Sequence, residues 1–135
     1  MQTILLSAAD ATVNGALILM DTPLAHTIHY WNNTTDTISW RCNVEKPGKY
    51  LVKLNYSLDK NLPGGLIQIA IADKRITFEA ETTDSWLDFR EFEAGTVEIE
   101  QTGAISVELK GLKLPVADDS AFPDIYTVSL VAIES

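Results

Sequence analysis

Thr37-Ile38-Ser39-Trp40-Arg41-Cys42-Asn43-Val44 decides the fold class. Ile38, Trp40, Cys42 and Val44 alternate with Ser39, Arg41 and Asn43, a period of two that turns one face inward and the other to water. Pro47-Gly48 follows; proline presets a negative φ and glycine accepts a positive one, so a turn is expected. From Lys49 to Ser57 the same alternation returns, with Tyr50, Val52, Leu54 and Tyr56 on one face. Pro63-Gly64-Gly65 breaks it, and Ile67, Ile69 and Ile71 restart it before a tight turn at Asp73-Lys74 into Arg75–Ala80. Further on, Leu87-Asp88-Phe89 reads as the start of a strand and Gly95 as a separator before Val97 and Ile99. Gly103 reads as the turn before Ile105, Val107 and Leu109. The apolar run Ile125–Ile133 suits a strand covered on both sides and is too short to span a membrane.

No stretch shows a sustained helical period with caps. About ten short strands separated by turn residues predict an all-β chain, an antiparallel β-sandwich of the jelly-roll kind. Residues 114–124 form its longest expected loop, and long loops on a rigid sandwich are where binding residues tend to sit.

The bulk properties fit one such domain spanning 1–135. With 135 residues, 46% of them hydrophobic, the chain can bury a core without a metal or disulfide staple. Mean hydropathy is +0.05. Nineteen acidic against ten basic side chains leave a net charge of −9, which argues against nucleic acid and anionic membrane surfaces as partners. Nine of the acids lie between Glu79 and Glu108, facing one base, Arg90. Cys42 is the only cysteine, so no internal disulfide or multi-thiolate zinc site can form, and its place in an alternating strand predicts a buried, inert thiol. The start, Met1-Gln2-Thr3-Ile4-Leu5-Leu6-Ser7, lacks the basic stretch of a signal peptide. It fits either a cytosolic protein or a piece of a longer one.

Catalytic motifs are sparse. His26 and His29 lie three apart in what reads as a loop entering a strand, with no third ligand spaced to make a metal site. The carboxylate pairs Glu79/Glu81, Glu91/Glu93 and Glu98/Glu100 each put two acids on one side of a strand, about 7 Å apart. That spacing is admissible for glycoside hydrolysis. However, the acids alternate with apolar residues, which is the mark of a solvated sheet face. An autonomous hydrolase is therefore the weakest reading.

Two segments join aromatic rings to amides, hydroxyls and a carboxylate: Tyr30-Trp31-Asn32-Asn33-Thr34-Thr35 and Thr82-Thr83-Asp84-Ser85-Trp86. Rings that pack on the C–H face of a sugar beside side chains that bond its hydroxyls are how carbohydrate is held. Trp40 is expected in the core. Trp31 and Trp86, near strand ends, are either half-core or stacking surfaces.

These pieces, in order, resemble the galactose-binding-like jelly-roll domains that include carbohydrate-binding module families six and thirty-five. They are similar above all to accessory domains of bacterial α-L-fucosidases and related secreted glycoside hydrolases. The matching residues are Ala8–Gly15, Ile28–Trp31, Asp36–Trp40, Lys46–Val52, Gly65–Ala72, Thr82–Phe89, Gly95–Val97 and Ile105–Lys110. The resemblance implies a noncatalytic module, extracellular or periplasmic within a longer secreted protein. Its partners would be neutral carbohydrate and the catalytic domain of a parent glycoside hydrolase. The implied site gathers Tyr30, Trp31, Asn32, Asn33, Asp84, Trp86 and Asp119 at one end of the sandwich. Many relatives carry a structural calcium, but two of its acidic positions are lost here, at Ala9 and in Tyr126-Thr127-Val128-Ser129. Asp10 and Asp124 are the carboxylates left to rebuild part of it, and no other cofactor is expected. The alternative is a structural or interdomain module with no ligand of its own.

Overall fold

A computed structural model of the chain describes residues 3–14, 18–21, 26–29, 36–60, 65–113 and 122–133. Among them are eleven strands: β1 (Thr3–Ser7), β2 (Thr12–Asn14), β3 (Ile18–Asp21), β4 (His26–His29), β5 (Thr37–Val44), β6 (Gly48–Ser57), β7 (Leu66–Ile71), β8 (Lys74–Glu79), β9 (Arg90–Ile99), β10 (Gly103–Lys113) and β11 (Asp124–Ile133). One 3-10 turn, Ala8–Asp10, separates β1 from β2. No helix among the described residues is long and apolar enough to cross a membrane.

The strands form two antiparallel sheets. One runs β3-β4-β11-β6-β9, with β1 also paired to β11; the other runs β2-β5-β10-β7-β8. The alternation in the sequence sets which side chains meet between them. Ile38, Trp40 and Val44 of β5 and Tyr50, Val52, Leu54 and Tyr56 of β6 are all buried. Ile67, Ile69 and Ile71 of β7 and Ile105, Val107 and Leu109 of β10, in the sheet of β5 and facing that of β6, complete the core. Even the polar tip of Trp40 is satisfied, its indole Nε1 donating to the Ser7 carbonyl at 2.7 Å. Cys42 is half-buried opposite Ile105, and burial pushes its thiol up, away from the reactive thiolate. β11 is central in its sheet, with β6 on one side and β4 and β1 on the other, and as expected of Ile125–Ile133 it is buried on both faces over Thr127–Leu130.

Four local expectations are corrected. The turn between β7 and β8 is Ala72-Asp73, and Lys74 already pairs with Ile71. His26 and His29 stand in β4, paired with β3, not in a loop. Gly95 does not separate two strands. It sits inside β9 at a bulge, where Val52 pairs with Gly95 and Lys53 with Glu93. A bulge needs a residue at an unusual φ, and Gly95 supplies +144°. Leu87-Asp88-Phe89 does not begin a strand either; Leu87 is 91% exposed in a turn, and β9 begins at Arg90.

The carboxylate pairs lie on solvated faces. Glu79, Glu81, Glu91, Glu93, Glu98 and Glu100 are all exposed. Glu91 meets Lys53 at 3.5 Å and Glu100 meets Lys74 at 4.0 Å.

Candidate functional site

Register locates the end of the sandwich from which the loops leave. In one sheet Asp124 pairs with Ser57, Ile125 with Ile28 and Tyr56 with Arg90. In the other, Lys110 pairs with Thr37, Lys113 with Leu66 and Leu66 with Glu79. The connections β4–β5, β6–β7, β8–β9 and β10–β11 therefore all leave from one end. The three segments singled out in the sequence belong to these connections. Tyr30, Trp31, Asn32, Asn33 and Asp119 themselves lie outside the described residues. Asp84 and Trp86 lie within them.

The β8–β9 connection, residues 80–89, crosses from one sheet to the other and is tied down along its length. The Ala80 amide donates to Gly65 O at 2.8 Å and the Thr83 amide to Leu58 O at 2.8 Å. Tyr56, fully buried, turns its hydroxyl out to this segment. It donates to Glu81 O at 2.8 Å and accepts from the Glu81 amide at 2.9 Å. Burial pushes the Tyr56 phenol well above its ordinary range, so it stays protonated and keeps both bonds. Thr83 Oγ1 accepts from the Leu58 amide at 3.1 Å and lies 3.0 Å from Ser85 O. Replacing Tyr56 by Phe keeps the ring and its stack on Phe92 (centroids 4.6 Å apart) but strands the Glu81 backbone. Tyr56→Phe is expected to lose about 1–3 kcal/mol in urea titration, with amide exchange rising first at Glu81.

Beyond Thr83 the segment folds around Arg90. The guanidinium meets Asp88 Oδ2 at 2.9 Å through Nε and Asp84 Oδ2 at 3.2 Å through Nη2. The Asp84 amide donates to Asp88 Oδ2 at 3.0 Å, and the Leu87 amide to Ser85 Oγ at 3.2 Å. Asp84, read from the sequence as a partner for sugar hydroxyls, thus has one carboxylate oxygen engaged by Arg90. Trp86 is half-buried and packs against the core. Phe89 then packs edge-on against Tyr126, with centroids 6.1 Å apart.

Sequence reasoning passed over Tyr56, Thr83 and Arg90 as site-building residues. The signal for Arg90 was present, since it is the single base in an acid-rich stretch, but its partners appear only on folding. Asp124 sits at the mouth of the same end, 6% exposed, on the sheet face it shares with Ser57 and Asn55. Ser57 Oγ and Asn55 Oδ1 are buried with no hydrogen-bond partner among the described residues. Burial raises the Asp124 carboxyl to about 7.

Asp10 and Asp124, the two carboxylates weighed for calcium, differ in setting. Asp10 is exposed and accepts from Ser7 Oγ at 3.0 Å, while Asp124 is buried. No three His, Cys, Asp or Glu side chains group as a metal requires among the described residues. Calcium takes about six to eight oxygens, so Asp10 and Asp124 would need ligands from elsewhere.

Similarity to known proteins follows the same architecture. No curated protein matches the sequence. Among solved structures, the native family 35 carbohydrate-binding module from Clostridium thermocellum is similar at a TM-score of 0.78 and 14% identity. That match covers 98% of this chain and 100% of the other. The C-terminal family 6 module of LamC, a marine laminarinase from Zobellia galactanivorans, is similar at 0.76 and 15%, covering 96% and 99%. A GH26-CBM35 β-(1,4)-mannanase from Podospora anserina is similar at 0.66 and 12%, covering 98% of this chain but 28% of that one. At these identities the likeness is one of fold. The sequence also matches the family model described as Domain of unknown function (DUF5077) over residues 22–132, from before β4 into the last strand. The chain therefore belongs to the DUF5077 family, built on the β-sandwich that carbohydrate-binding modules of families 6 and 35 also use.

Proposed function

We propose that this domain is a noncatalytic carbohydrate-binding-type module that binds neutral glycans at the loop end and supports a parent glycoside hydrolase. The observation that carries the reading is likeness over nearly the whole chain to modules named for carbohydrate binding. In the mannanase the matched part is a minor share of a larger chain, which favours an accessory role. The sequence resemblance to accessory domains of bacterial α-L-fucosidases points the same way. It makes the domain part of a secreted protein, extracellular or periplasmic.

Trp86 offers the stacking surface among the described residues, with Tyr30, Trp31, Asn32, Asn33 and Asp119 assigned to the same end. The exposed acids of β8 and β9 would repel sulfated or uronic polysaccharides, which directs the choice toward neutral glycans. Titration calorimetry against neutral oligosaccharides tests the proposal. Trp86→Ala should weaken whichever interaction the wild type shows by about tenfold or more, about 1.4 kcal/mol per factor of ten. Silence of the wild type across mono- and oligosaccharides, with Trp86→Ala equally silent, overturns it.

A further inference from the structure

We propose that Arg90 is the positioning residue of this site. It does not touch ligand; it folds the β8–β9 connection so that Trp86 and Leu87 stand together as an apolar tip. The inference rests on the reading of the loop end as a glycan site and adds the device that shapes it.

The argument starts from charge. Asp84 and Asp88 lie four positions apart in a short turn, and two carboxylates held close repel each other unless a cation lies between them. Arg90 is the only base from Glu79 to Glu108, and as the first residue of β9 it stands on a paired strand rather than on the loop. Its planar fork reaches both acids from different nitrogens. Asp88 Oδ2 thereby receives Arg90 Nε and the Asp84 amide together. Ser85 closes the turn from the other side, its carbonyl accepting the Asp88 amide at 3.1 Å and its hydroxyl the Leu87 amide.

Each polar group of the turn named here has a partner within the turn or on Arg90. The two residues at its apex are apolar: Trp86, half-buried against the core, and Leu87, 91% exposed. A chain left to its own preferences would let a turn of this composition fluctuate. Ordering it at the moment of binding would subtract from affinity, whereas a preformed turn avoids that cost. The ion pairs themselves are more than one-third exposed on Arg90 and Asp84, so they add little to global stability. Removing Arg90 should accordingly cost affinity and local order, not the fold. The consequence for recognition is that the β8–β9 loop contributes apolar contact to a sugar face, while Asp84 holds the loop.

The experiment uses the full chain as wild type, Arg90→Ala, Arg90→Lys and Trp86→Ala. The probes are laminarihexaose, mannohexaose and galactotriose. In Arg90→Ala, the Tm should stay within about 2 °C of wild type. Amide exchange at Asp84, Leu87 and Asp88 should rise about tenfold, with β6 and β9 unchanged. Affinity for the probe that binds should fall about tenfold, with Arg90→Lys recovering part of it because an ammonium supplies charge without the fork. Wild-type affinity for a neutral probe should also weaken between ~0.02 M and ~1 M NaCl, where screening shortens to ~3 Å, and Arg90→Ala should lose that dependence. Unchanged exchange in Arg90→Ala overturns the inference. So does raised exchange with unchanged affinity, or a collapse of Tm with exchange rising everywhere. A wild type that binds no probe overturns the glycan reading and the affinity claim for Arg90 with it; the exchange comparison then still decides whether Arg90 sets the loop.

Discussion

Gly111→Ala should lower stability by about 3 kcal/mol, although it adds a single methyl group near the end of a strand where alanine is ordinarily tolerated. Gly111 belongs to β10 and Gly65 precedes β7, and between them lies the ring of Phe122, fully buried. A Cβ on Gly65 would come 2.7 Å from Phe122 Cε1 and 3.1 Å from Lys113 O; a Cβ on Gly111 would overlap Phe122 Cε2 and Cζ outright. Both glycines are thus fixed by close approach rather than by backbone angle. Urea titration of Gly111→Ala, Phe122→Ala and the double variant checks this. Phe122→Ala alone should cost about 3–5 kcal/mol. In its background the Gly111→Ala penalty should vanish, a coupling of about 3 kcal/mol. A Gly111→Ala protein that melts with the wild type would mean that the ring has another place to go.

Asp124 should make the domain less stable as pH rises from about 4 to 7. Burial raises its carboxyl from 3.8 to about 7 in the folded chain, while the unfolded chain keeps the ordinary value. Between those two values the folded protein holds a proton that the unfolded one has released. The unfolded state then binds fewer protons than the native state, so unfolding free energy falls with rising pH and levels off above about 7. At about 1.4 kcal/mol per pH unit the window corresponds to a few kcal/mol at most. Asp124→Asn keeps the shape, removes the titration and should flatten this part of the profile, leaving the variant more stable than wild type at pH 8. Thermal melts of both proteins from pH 4 to 8 give the comparison. Parallel profiles would show that another group carries the dependence.

The strands of the core were legible because their signal is local. Thr37–Val44 and Leu66–Ile71 alternate strictly, and the inward positions are the buried ones, except that Cys42, expected to be buried, is only half-buried. The double cover of β11 was legible from its apolar run, although one face carries Asp124, Thr127 and Ser129, all of them buried. Trp40 followed from its place in the alternation.

The loop end was legible only as composition. Thr82–Trp86 announced polar groups beside a ring, but nothing local told whether Asp84 would face a ligand or an arginine six residues away. Leu87-Asp88-Phe89 looked like strand because two apolar residues flank one polar residue. The ion pairs of Asp84 and Asp88 with Arg90 hold that stretch in a turn and delay the strand to position 90. Gly95 looked like a stop because glycine weakens strands, and it proved to be a bulge because β6 continues to pair on both sides of it.

By itself, then, the sequence determined an all-β sandwich, its inward faces and its acidic outer face, all properties carried by residues one or two positions apart. Only the tertiary structure decided that Phe122 requires glycine at 65 and 111, that Asp124 is buried, and that Arg90 binds the acids of its own loop. Those depend on groups brought together from separate strands, where burial and close approach, rather than local preference, decide each residue's role.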